Sequence, residues 1–213
     1  MGIKTKTPKL TLNYANIKGE GLEKQDGEGR EFKVTCLVEK GSKEDKEMQK
    51  ELKRLSKEFD IDLEDMDSLF YKEYVIPDPD SKRNTAKKIK DWKETDYMMF
   101  VAKTRTEYAN GNRKQVKVYD AKGLDLTQDY EESEKYLAKG SRVIVYYTAD
   151  HYEVKGNEGL TAYLDKVQII KPVWGGDEPV EAVDDDEAED VDFNSNLPKE
   201  EKKKKKKKKK KGE

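Results

Sequence analysis

Alternation of apolar and polar positions recurs along most of the chain before its charged end. Leu10-Thr11-Leu12-Asn13-Tyr14-Ala15 alternates and predicts a half-buried strand. A glycine-rich loop, GEGLEKQDGEGR, separates it from a second strand, in which Phe32, Val34, Cys36 and Val38 fall at every second position. The period then changes. Met48, Leu52, Leu55 and Phe59 form one stripe of a helix, and Ser42 with Asp45 three residues on resembles a capping box that opens it. Beyond a turn at Pro77-Asp78-Pro79-Asp80, the basic stretch SKRNTAKKIKDWK leads into a strand over 97–106. Asn110-Gly111-Asn112 predicts a hairpin turn, with Val116 and Val118 on the returning strand. A short helical piece at 130–138, a strand at 143–148, a turn at 155–159 and a strand at 160–170 complete the pattern. Five or more mostly antiparallel strands with one or two helices predict a small barrel or an α+β sheet.

Composition narrows the class. Of 213 residues, 42% are charged and 33% hydrophobic, so the excess charge must lie on solvated faces or in tails. No apolar run is long enough to span a bilayer, and no secretory leader is expected. The single Cys36 excludes an internal disulfide, and the single His151 excludes a multi-histidine metal site. Residues 1–174 carry 33 basic and 33 acidic side chains and read as one neutral domain. Residues 175–193 hold ten carboxylates and no base, and residues 194–213 hold eleven lysines against three glutamates. Neither block has a periodic apolar pattern that could offset the entropy of ordering, so both are expected to be disordered tails. Inside the body, 82–122 forms a local basic band, twelve cations against five carboxylates. Such a band suits a surface that tracks phosphates, and an ordinary solvated strand has the same composition.

From Trp92 to Lys171 the landmarks run WKETDYMMFVAKTR, NGNRKQVKVYD and KGSRVIVYYTADHYEVKGNEGLTAYLDKVQIIK, followed by an acidic tail ending DVDF. This series resembles the single-stranded DNA-binding proteins of T7-type bacteriophages. That family has a Gly-Val/Leu-Ser/Thr-Ala-x-Leu-x-x-Val-Gln segment after a late turn, similar to Gly159 through Gln168 here. It also has an Arg followed by Val-x-Asp in the central hairpin, similar to Arg113 and Val118-Tyr119-Asp120. The amino-terminal half matches loosely, and the charged helix from Ser42 to Phe59 reads as an insertion. The resemblance implies a mainly β oligonucleotide-binding (OB) fold, a five-stranded antiparallel barrel with one or two inserted helices. It implies a protein that coats single-stranded DNA in phage replication and recombination, in the cytoplasm of an infected bacterial host, commonly as a homodimer.

Binding single strands without regard to sequence needs cations along a groove and open aromatic rings for base stacking. The residues expected to supply them are Lys82, Arg83, Lys87, Lys88, Trp92, Tyr97, Lys103, Arg105, Tyr108, Arg113 and Lys114. Tyr97, Lys103 and Arg105 share strand parity and so one face. Trp92 fits a core lid as well as a stacking ring, and Tyr146, Tyr147 and Tyr163 lean towards core packing. The tail segment Asp184, Asp185, Asp186, Glu187, Glu189, Asp190, Asp192 and Phe193 resembles the family's acidic carboxy terminus. The resemblance implies that it recruits replication partners, such as DNA polymerase and helicase-primase, and competes with DNA for the basic groove. Here ten consecutive lysines, Lys202 to Lys211, follow the aromatic residue that ends the family's chains.

Catalytic signatures are weak. The carboxylates Asp60, Asp62, Glu64, Asp65 and Asp67 invite a metal site, yet an EF-hand loop starting at Asp60 would need Gly and Glu where Asp65 and Tyr71 stand. No GxSxG or GxxxxGK[ST] is present, and His151 has no Ser or Cys partner pattern. No catalysis, cofactor or metal is expected. The alternatives are an OB-fold scaffold that binds proteins through charged tails and, more remotely, a metal-dependent nuclease.

Overall fold

A computed structural model describes residues 2–24, 27, 29–84, 88–154 and 156–175. In chain order the elements are β1 (Ile3–Lys6), β2 (Leu10–Asn16), β3 (Leu22–Glu23), β4 (Arg30–Glu39), α1 (Lys43–Phe59), a 3-10 turn (Leu63–Asp65), β5 (Ser68–Leu69), β6 (Tyr71–Pro77), β7 (Trp92–Arg105), β8 (Lys117–Tyr119), α2 (Thr127–Glu132), β9 (Arg142–Val154) and β10 (Asn157–Lys171). Five of them close a ring: β2 pairs with β4, β4 with β7, β7 with β10, β10 with β9, and β9 with β2. This is the expected five-stranded OB barrel with two helices. One pairing differs from an all-antiparallel barrel, because β7 and β10 close it in parallel through Tyr163 and Lys103.

The barrel forms because every long strand keeps one apolar parity. Phe32, Val34, Cys36 and Val38 of β4 point inward, as do Phe100 and Ala102 of β7 and Val143, Val145, Tyr147 and Ala149 of β9. Along β10 the inward set runs Leu160, Ala162, Leu164 and then Val167, Ile169. A bulge between Leu164 and Lys166 absorbs the slip in parity. Phe70, Phe100 and Tyr147 pack with ring centroids 5.2–5.9 Å apart at the centre. Burying a ring of this size is worth roughly 1.5–3 kcal/mol.

The Ser42 cap is present, its Oγ accepting the Asp45 N–H at 3.1 Å. Met48, Leu52 and Leu55 face the core from α1. Asp45 is buried and accepts hydrogen bonds from Tyr71 Oη at 2.7 Å, Gly41 N at 2.8 Å and Gln49 Nε2 at 3.0 Å. Burial alone would raise its pKa, but those donors hold the carboxyl below its ordinary value.

Several local expectations shift. The helical piece placed at 130–138 is α2, six residues starting at Thr127, and Leu137 instead bridges Trp174. The hairpin at Asn110–Asn112 is real but short, a Glu107–Arg113 bridge with Tyr108 N donating to Asn112 O at 2.9 Å. Val118 does not return along β7, since β8 pairs in parallel with β10. The reason is edge occupancy: β4 lines one side of β7, and β6 and β10 take the other. No helix among the described residues is long and apolar enough to cross a membrane.

Candidate nucleic-acid interface

The inward parity of β4 and β7 fixes what lies outside. The outward set on β4 includes Glu31, Lys33 and Leu37, and on β7 Tyr97, Met99, Val101, Lys103 and Arg105. The register pairs Glu31 with Arg105 and Lys33 with Lys103. Two lysines directly opposed across a strand pair repel, with Cβ atoms about 5 Å apart. Glu31 Oε2 lies 3.7 Å from Lys103 Nζ and offsets part of that repulsion. Lys33 and Arg105 form no ion pair among the described residues.

This face floors an open groove of about 490 Å³. Lys24 and Lys72 add cations at its sides, so among the described residues five basic side chains line it against the one carboxylate of Glu31. Two rings complete it. Tyr163, 43% exposed, projects from β10 beside Lys103, and Tyr152 reaches in from β9 opposite Gly159. The Lys114 ammonium donates to the buried Thr104 Oγ1 at 2.6 Å and stands 5.6 Å from the centre of the Tyr108 ring, outside the groove lining. An electropositive channel with open π-faces can hold phosphates and unpaired bases together.

The structure distributes the expected residues unevenly. Lys103 and Arg105 line the groove, whereas Lys114 is tied to the buried Thr104 hydroxyl. Tyr108 is exposed on the adjoining hairpin. Arg113 is engaged elsewhere, donating to Glu131 Oε1 at 2.5 Å and to the Gly19 carbonyl at 2.9 Å. Tyr97 shares the β7 face as expected but lines a second concavity with Lys9, Lys139 and Arg142. Trp92, 57% exposed, is no core lid; it begins β7 opposite Pro77, about 40 Å of strand from Arg105. Lys82, Arg83 and Lys88 sit near it, beyond the end of β4, with Arg83 paired to Asp91 at 3.4 Å. Lys87 and all the tail residues from Asp184 to Phe193, like the lysine run, lie outside the described residues.

Lys24, Lys33, Lys72, Tyr152 and Tyr163 escaped the sequence reading. Tyr147 is core, as expected, whereas Tyr163 faces out. The signal for Tyr163 was available, because Ala162 and Leu164 on either side point inward. Two of the carboxylates at 60–67 serve the backbone, Asp62 Oδ1 accepting from Glu64 N and Asp67 Oδ2 from Glu158 N, while Asp60 caps α1 through its own backbone N–H in a left-handed conformation. Among the described residues no group of three or more His, Cys, Asp or Glu is placed to hold a metal.

No family model matches the sequence, and no curated protein matches it. Solved structures do share its fold. The single-stranded DNA-binding protein gp2.5 of bacteriophage T7 superposes with a TM-score of 0.54 at 12% identity, covering 88% of this chain and 98% of gp2.5. The single-stranded DNA-binding protein of bacteriophage Enc34, truncated at its C-terminus, gives 0.51 at 18% identity over 83% of this chain and 88% of its own. The same protein in complex with single-stranded DNA gives 0.51 at 16% identity, over 80% and 87%. The chain has the barrel fold of the T7-type phage single-stranded DNA-binding proteins.

Proposed function

We propose that the chain binds single-stranded DNA along the groove floored by β4, β7 and β10, coating it without reading sequence and without catalysis. The observation that carries this reading is the opposed pair Lys33 and Lys103 beside Arg105, with Tyr152 and Tyr163 opening onto the same surface. Like charges held face to face cost stability, which Glu31 offsets only in part at Lys103, and a phosphate on Lys33 reduces that cost further. The open rings favour unpaired over paired bases, since only an unstacked base offers its face. The shared fold supports the assignment, as two of its neighbours carry the same activity in their names.

The acidic segment from Asp184 to Phe193 is the regulatory part of the proposal. A tethered polyanion reaches an effective concentration of about millimolar, enough to occupy a phosphate channel until DNA displaces it. Its second role is recruitment of replication proteins. The sequence pattern of the tail supports both. Neutralising its seven carboxylates between 184 and 192 in the full chain is expected to tighten DNA binding.

The test is a fluorescence titration of labelled oligo-dT against a duplex of equal length, with and without Mg²⁺. Preferential binding of the single strand, intact after incubation, supports the proposal. Absence of binding at low salt refutes it in favour of a protein-binding scaffold, and strand degradation on adding Mg²⁺ points to a nuclease.

A further inference from the structure

Gly159 sits inside β10, opposite Tyr152 on β9 and Ser68 on β5. Its backbone dihedral is not in the left-handed region, so conformational freedom does not explain a glycine there. A glycine within a strand weakens it and marks a close approach. The approach is explicit. A Cβ at this position would lie 2.7 Å from Tyr152 Oη, 2.8 Å from Tyr152 Cζ and 2.6 Å from the Ser68 carbonyl oxygen. The phenol end of Tyr152 therefore rests against bare backbone, in a seat that any side chain would fill.

Among the described residues the Tyr152 hydroxyl makes no hydrogen bond, so packing on Gly159 sets its position. Directly opposed residues of an antiparallel pair share a face, which places Tyr152 on the side of Gly159, Thr161 and Tyr163. Tyr152, Thr161 and Tyr163 all line the basic groove. Packing an aromatic ring across a strand glycine stabilises a sheet by itself. Here that packing also holds a π-surface at the edge of a channel carrying five cations.

We infer that Gly159 is a positioning residue for base recognition: by leaving room for Tyr152, it fixes the ring where an unpaired base can stack on it. This rests on the single-strand reading of the groove. It adds that one of the two stacking platforms depends on the absence of a side chain in β10, the strand that pairs with β7 at Lys103.

The experiment compares the full chain with Gly159→Ala, Tyr152→Leu, Tyr152→Phe and the double variant Gly159→Ala/Tyr152→Leu. Each is titrated with oligo-dT and with an abasic oligomer of equal length. Gly159→Ala and Tyr152→Leu are each expected to weaken oligo-dT binding about tenfold, within the range for one stacked base. The double variant is expected to lose less than the sum of the two single losses, because both act through the same ring, while the approach of the added methyl to the Ser68 carbonyl is common to Gly159→Ala and the double variant. Tyr152→Phe keeps the ring and near-normal binding. All variants are expected to bind the abasic oligomer equally, with an unchanged salt slope. An unaltered oligo-dT affinity in Gly159→Ala, an equal loss on the abasic oligomer, or additive effects in the double variant would overturn the inference.

Should Gly159→Ala misfold, the seat is read in the unmodified chain by NMR. The Tyr152 ring is expected to move a Gly159 Hα resonance upfield, and Tyr152→Leu to abolish that shift; a normal Hα position overturns the inference. If the unmodified chain binds no single strand at all, it is the functional reading that fails, and the NMR result still decides the seat.

Discussion

Lys33 and Lys103 give a prediction in which binding and stability move in opposite directions. Five cations line the groove, and Glu31 engages Lys103, which leaves Lys24, Lys33, Lys72 and Arg105 to neutralise phosphates. For single strands the slope of log K against log salt is about −0.7 per phosphate neutralised, so four contacts give about −2.8. Raising salt from about 50 to 200 mM should then weaken binding about 50-fold. Replacing Lys33 and Arg105 together by alanine removes two contacts, halves the slope to about −1.4 and reduces the loss over the same range to about 7-fold. Comparing slopes cancels the contribution of the charged tails, which both proteins share. The stability side follows from the register, since Lys33→Ala alone ends a like-charge opposition worth roughly 0.2–1 kcal/mol. Its thermal midpoint should rise by about 1–3 °C while its DNA affinity falls. Anisotropy titrations at four salt concentrations and a thermal melt measure both. An unchanged slope in the double variant would refute the placement of the phosphates, and a destabilised Lys33→Ala would refute the opposed-charge argument.

Three further outcomes follow from the core. Tyr71→Phe removes a hydrogen bond to a buried carboxylate and should cost about 2 kcal/mol, read as a fall of roughly 4–8 °C in thermal midpoint. Because the pKa of Asp45 is depressed in the folded protein, its contribution is present above the unfolded carboxylate value of about 4 and is lost as pH falls through the folded value. The stability gap between the native chain and Asp45→Asn should therefore be constant near neutrality and close below about pH 4, which melts across pH will show. Cys36 is fully buried and its thiol is pushed well above its ordinary pKa by burial, so an aromatic disulfide reagent should label it only as fast as the domain unfolds. Labelling of the native protein within seconds would contradict the placement of β4 in the barrel.

How much of this was legible before the structure depends on whether the signal was local. The strands β2, β4 and β9 announce themselves by alternation, and the Ser42 cap by its spacing, because period and capping are properties of neighbouring residues. β1 and β6 were not singled out as strands. The fate of β8 was hidden for a different reason. Nothing near Val118 says that the edge of β7 is already occupied by β6 and β10, so a returning hairpin strand was the natural local expectation.

The site divides along the same line. The common face of Lys103, Arg105 and Tyr97 was legible because they share a strand, and parity is visible in one segment. The engagement of Arg113 was invisible because its partners, Glu131 and Gly19, lie 18 and 94 residues away. The decisive feature, Lys33 facing Lys103, joins positions 70 residues apart, and no reading of either strand alone could reveal it. It is also a feature that stability alone would remove. Sequences settle like charges apart unless something compensates, so a pair that Glu31 offsets only in part, on a barrel face, says more about a ligand than the overall charge does. The basic band from Lys82 to Lys122 illustrates the difference. It contains twelve cations, yet most of them lie outside the groove, some near the far end of β7, while lysines from outside the band complete the site. Charge density along a sequence measures solvation as readily as binding. Opposition across a strand pair, next to open aromatic rings, is the narrower signal, and it exists only once the register is known.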